Sequence, residues 1–134
     1  MPKEHLQPEG LIESQRFGFS QVVTSPPGRQ VFVSGQTAWN EKMEVVGGDD
    51  LGAQTEAALA NLRIALAAAG AKPADVTSLR IYIVDYKPED MSGIGRPLAA
   101  FFDGGPPPAQ TLIGVQSLAM PAFRVEIEAT AVVE

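Results

Sequence analysis

The stretch that most constrains the fold of this chain lies near its end. From Val125 to Ala131 the sequence reads VEIEATA, so that Val125, Ile127, Ala129 and Ala131 alternate with Glu126, Glu128 and Thr130, with Arg124 on the polar side. Side chains on a strand point to alternate faces, so this run predicts a strand with one apolar and one polar face. Only two other segments have helical character, and two helices cover one face of a sheet. The second face then carries mixed polar and apolar residues, and such a face is a candidate for burial against other copies of the chain.

The first helix spans Leu51 to Ala69, with Asp49 or Asp50 as N-cap and Gly70 in the position of a C′ glycine. Leu51, Thr55, Ala58, Leu62, Ala65, Leu66 and Ala69 form its apolar stripe, and Gln54 and Asn61 border that stripe as amides expected to bond backbone. The second helix covers Pro88 to Phe102; Gly93, Gly95 and Pro97 weaken its middle, and Pro97 is expected to delay regular helix until RPLAAFF. Between the helices, Asp75 caps a turn before a strand at Thr77–Val84, whose Arg80 and Tyr82 oppose an Ile/Leu face. Phe17–Val23 and Gln30–Gln36 flank TSPPGR and predict a β-hairpin, and EKMEVVGGDD a loop or short hairpin. Ala109–Val115 and Phe123–Val133 are the last two strands. Leu112 shares a face with Gln110; with Phe19 and Phe32 it is assigned to the second sheet face, while alternation turns Thr111 toward the helices. The expected architecture is an α+β two-layer sandwich, a mixed sheet of about six strands covered by two helices. It forms one domain over residues 1–134, with 1–14 irregular.

Composition narrows the chemistry. The absence of cysteine excludes disulfides and thiolate catalysis. The one histidine, His5, falls in a polar N-terminal segment and is expected to be an incidental surface residue, so metal ligands reduce to carboxylates. Neither a metal nor a cofactor is expected. The net charge is −6, and the ten basic residues are scattered singly rather than clustered, which argues against nucleic acid as partner. No apolar run is long enough to span a membrane, and MPKEHLQPEG lacks the apolar core of a signal peptide, so a cytoplasmic protein is expected. Chemistry would rest on carboxylates, amides, hydroxyls, backbone groups and water.

Several stretches resemble the RidA/YjgF family of imine and enamine deaminases: FGFSQVV (17–23), VFVSGQ (31–36), QTEAALANLRIALAAAG (54–70), IYIVD (81–85), AAFF (99–102) and VEIEATA (125–131). The resemblance spans nearly the whole chain. It implies a chorismate-mutase-like fold, a homotrimer and small-molecule clefts at subunit interfaces. In the deaminase branch an arginine after Pro-Ala at the penultimate strand clamps a substrate carboxylate; this chain has Gln110 there, in PAQT. A tyrosine of the N-terminal strand is replaced by Phe19, an asparagine of the second helix by Gly95, and the glutamate of the final strand is retained as Glu128.

Glu128 is therefore the candidate general acid/base or water-positioning residue, against the alternative of a carboxylate paired with Arg124 or Arg80. Gln110 offers neutral hydrogen bonds where the family has a charge, or merely satisfies backbone at a strand end. Ser34 and Gly35 would bring backbone groups close to a ligand or form a packed turn. Phe19 and Leu112 would be apolar walls or core, and Thr111 supplies a hydroxyl. The leading expectation is hydrolysis of an imine, enamine or related compound lacking a carboxylate anchor. The alternatives are a ligand-binding or regulatory trimer without turnover and, less favoured by the acidic balance, a ribonuclease or translation inhibitor.

Overall fold

The computed structural model describes residues 3–134. Its elements in chain order are β1 (Glu4–Leu6), β2 (Val22–Thr24), β3 (Arg29–Gln36), α1 (Leu51–Ala68), β4 (Val76–Val84), α2 (Met91–Phe101), β5 (Ala109–Val115) and β6 (Val125–Val133). The expected six strands divide into a mixed four-stranded sheet, β3-β6-β4-β5, and a two-stranded pair, β1-β2. β6 runs antiparallel between β3 and β4, while β4 and β5 pair in parallel across α2. The last strand is thus the centre of the sheet, which is why its alternation was so regular.

Both helices cover one face. α1 lies against β3 and β6 and packs beside α2. Leu62 and Leu66 of α1, Ile94 and Leu98 of α2, and Ile81, Ile83, Val125 and Ile127 of the sheet form one buried cluster. Fully burying a side chain of this size is worth about 1.5–3 kcal/mol. Asp50 is the N-cap of α1, its carboxylate accepting from the Ala53 amide at 2.7 Å, and Gly70 takes the left-handed conformation (φ 74°) just past the end. Gln54, fully buried, donates to Gly48 O and Ala122 O and accepts from the Arg124 amide, stitching two loops to the helix. Asn61 does the same for Thr37 O and Trp39 O. Both amides have the backbone-satisfying role their position suggested.

Three expectations are corrected. Phe17–Val23 and Gln30–Gln36 do not form a hairpin: Gln15–Phe17 is a 3-10 turn ended by Gly18 in the left-handed region. β2 pairs with β1, and β3 takes β6 as its partner. Residues 1–14 are not simply irregular, because Glu4–Leu6 is a strand, and His5 within it is held at 3.0 Å from both Ser20 Oγ and Pro107 O. Burial and the nearby Lys3 lower the His5 pKa, opposed by the bond to Pro107. Finally, α2 begins at Met91 and runs through Pro97. The bond lost at Pro97 would have used the Gly93 carbonyl, which instead faces α1 at Gly52, 3.4 Å from where a Cβ would stand there.

Candidate functional site

The parallel register fixes which way β5 points. Gln110 lies beside Leu79 and Leu112 beside Ile81, both buried under the helices, and Leu112 packs on the core. Gln110 and Leu112 therefore face the helices, not the open face to which they were assigned. Thr111, beside Arg80, is the residue on the open face. The inversion follows from strand alternation, which says which residues share a face but not which face they share.

Gln110 lines a cavity of about 200 Å³ between α2, the start of β5 and the 15–18 turn. Ile94, Leu98 and Phe102 form one wall, and Phe17, Gly18 and Pro107 the other. Phe19 is half-buried next in sequence but is not part of the wall. Gly95 is, and a Cβ added there would meet no heavy atom within 4 Å, so the position matched to the family asparagine is open space. No Asp, Glu, Lys, Arg or His lines the cavity. The Oε1 of Gln110 is buried and accepts no hydrogen bond among the described residues. A buried amide oxygen left unmatched costs about 1–3 kcal/mol.

The carboxylates lie on the opposite side of the sheet. Glu128 is the cross-strand neighbour of Arg80 and accepts a 2.5 Å hydrogen bond from the Tyr82 hydroxyl. That bond, with burial and the charge of Glu128, raises the Tyr82 pKa against the lowering effect of Arg80. Arg124, the other proposed partner of Glu128, lies instead beside Asp49. The β3–β6 ladder steps from Val33↔Ala129 to Gln36↔Ile127, so Ser34 and Gly35 together oppose Glu128 in a bulge. Ser34 is exposed. Over Gly35 sits the carboxyl group of Glu126: a Cβ at position 35 would fall 2.0 Å from its Oε2. Glu126 was not singled out from sequence, because the family match selected Glu128 and the bulge that sets Glu126 over Gly35 lies on another strand. The same face exposes Phe32 (74% accessible) and Ile113 (37%) with no helix above them. Among the described residues no three His, Asp or Glu side chains are grouped to hold a metal ion, and no helix is long and apolar enough to cross a membrane.

An uncharged cavity at a strand mouth and a set of carboxylates on the reverse face of the same sheet are the two candidate sites of this α+β domain. The chain belongs to the family described as Endoribonuclease L-PSP, the RidA/YjgF family, whose model matches residues 13–133. It is similar to the Rid-family protein YyfB from Yersinia pestis, a protein of unknown function, with a TM-score of 0.94 and 46% identity over 99% of this chain and 100% of that one. Protein DfrA of Myxococcus xanthus is 35% identical over 116 residues, 85% of this chain and 84% of the relative. A 2-iminobutanoate/2-iminopropanoate deaminase of Dermatophagoides farinae is 32% identical over 116 residues, 87% of this chain and 86% of the relative.

Proposed function

We propose that this protein hydrolyses an imine or enamine-type metabolite that lacks a carboxylate anchor, in a cleft completed between copies of a homotrimer in the cytoplasm. The observation that carries this reading is Gln110 in a cavity without ionisable side chains. 2-Iminobutanoate and 2-iminopropanoate, named for the Dermatophagoides relative, are carboxylates. Moving a carboxylate into an uncharged, largely apolar cavity without a cation is costly. The likeness to a deaminase supports the reaction class, and Gln110 supports the change of substrate.

The reaction adds water across C=N. The water oxygen bonds to the imine carbon, its proton passes to a carboxylate, and the nitrogen takes up a proton. The carbinolamine then loses its hydroxyl proton, the C–N bond breaks with its electrons on nitrogen, and protonated nitrogen leaves as ammonia, giving a carbonyl compound. Glu128 is committed to Tyr82, whereas Glu126 lies over the glycine gap of the bulge, so Glu126 joins Glu128 as the candidate proton carrier. Within one chain these carboxylates and Gln110 occupy opposite sheet faces. A neighbouring copy seated on the open face, over Phe32 and Ile113, would bring its Gln110 cavity to them, and Ser34, Gly35 and Thr111 would line the junction. The engagement of Glu128 by Tyr82 favours, as a second reading, a ligand-binding trimer without turnover.

The test is ammonia release from an N-unsubstituted imine generated in situ by an amine oxidase, with dioxygen as oxidant, from a simple primary amine, with wild type and Glu126→Gln. Acceleration by wild type that is lost in the variant supports hydrolysis. Wild-type rates equal to the buffer rate favour the binding reading.

A further inference from the structure

We infer that the Gln110 cavity takes a neutral ligand bearing a carboxamide-like donor and acceptor edge on a compact apolar body. The inference rests on the reading of this cavity as the ligand site, and it names the chemistry that the site selects.

Three observations converge on it. First, Gln110 presents an amide, one acceptor and two N–H donors on a rotatable end, and its buried oxygen has no protein donor. A ligand that carries both a donor and an acceptor satisfies the amide whichever edge is turned inward. A carboxylate offers only acceptors, and a ketone only one. Second, the lining holds no charge to balance an ion of either sign. Third, the walls supplied by Phe17, Ile94, Leu98 and Phe102 are apolar, and about 200 Å³ is room for roughly six to seven water-sized groups. A branched aliphatic or single aromatic ring with an amide head has these dimensions. Sites of this kind discriminate strongly, because a ligand lacking the matching group leaves a buried polar atom unpaired.

The experiment measures binding, so it does not depend on turnover. Benzamide, benzoate and acetophenone share one body and differ only in the head group; their dissociation constants are measured by ligand-observed NMR on the full chain, with wild type, Gln110→Leu and Gln110→Arg. Wild type should hold benzamide about tenfold or more tighter than either of the others. Gln110→Leu should erase the preference, and Gln110→Arg should transfer it to benzoate. Gly95→Leu is the folding control: it replaces a helical glycine whose side-chain space is open, so it should raise stability while blocking the cavity. Benzoate bound by wild type as tightly as benzamide overturns the inference, as does the absence of saturable benzamide binding at millimolar concentration. Retention of benzamide binding in a folded Gly95→Leu variant overturns it too. Selective benzamide binding by a protein that releases no ammonia from any imine leaves the ligand class standing and removes the hydrolytic reading.

Discussion

Replacing Gly35 by alanine isolates the placement of Glu126. A Cβ at this position would stand 2.0 Å from Glu126 Oε2, 2.6 Å from Cδ and 2.7 Å from Cγ, where ordinary contact begins at 3.4 Å. The carboxyl group must therefore move by more than 1 Å, roughly the difference between those two separations. Because the obstacle is a flexible side chain, folding can absorb the change by a shift of rotamer, at about 0.5–1.5 kcal/mol. Catalysis has less latitude: a misplacement of about 1 Å in a reacting group costs on the order of 10²-fold, or about 2.7 kcal/mol in the barrier. The expected result is a Gly35→Ala protein whose urea midpoint falls slightly and whose kcat/KM toward a neutral imine falls about a hundredfold, close to that of Glu126→Gln. The double variant should be no worse than either single one, since both remove the same group. Gly35→Ala activity within about threefold of wild type, in a folded protein, would remove Glu126 from the proposed role, because it would then act from elsewhere or not at all.

Other consequences are independent of turnover. Gln54→Leu keeps the side-chain volume but strands Gly48 O, Ala122 O and the Arg124 amide; a loss of roughly 2–4 kcal/mol in urea unfolding is expected. Phe32→Glu puts a charge on the open sheet face, on its edge strand β3, and light scattering should change from three times 14.2 kDa in wild type to a monomer in the variant. His5 has a pKa below 6.5 in the folded chain, so as pH falls below 6.5 the unfolded chain takes up the proton first. Its contribution to stability is present above 6.5 and is lost on acidification toward its lower folded value. Wild type should lose stability more steeply than His5→Asn between pH 7 and 5.5 in thermal unfolding.

The parts of this fold that were legible in the sequence are those fixed by local pattern. The cap at Asp50, the stripe ending at Gly70, and the alternation in β4 and β6 each depend on residues a few positions apart. β3 was visible as a strand, but its partner β6 lies about a hundred residues on, and the nearer Phe17–Val23 run competed for the assignment until Gly18 took a left-handed conformation. The face of Gln110 was hidden for a related reason: only pairing with Leu79 decides it, and that register is a property of the folded sheet. Gln110 itself was found because its place in PAQT breaks a family pattern. Glu126 was missed because the family match pointed to Glu128, and the bulge at Ser34–Gly35 that distinguishes Glu126 lies on another strand.

On the reading proposed above, Gln110 exchanges carboxylate recognition for neutral recognition. It is tested most directly by the ratio of kcat/KM for a neutral imine to that for a carboxylate-bearing imine, both generated in situ, in wild type and in Gln110→Arg. A guanidinium–carboxylate contact exceeds a neutral amide contact by about 1–3 kcal/mol, so the ratio should favour the neutral imine in wild type and shift toward the carboxylate by roughly 5- to 150-fold in the variant. A wild-type ratio that already favours the carboxylate imine, unchanged by the arginine, would contradict it.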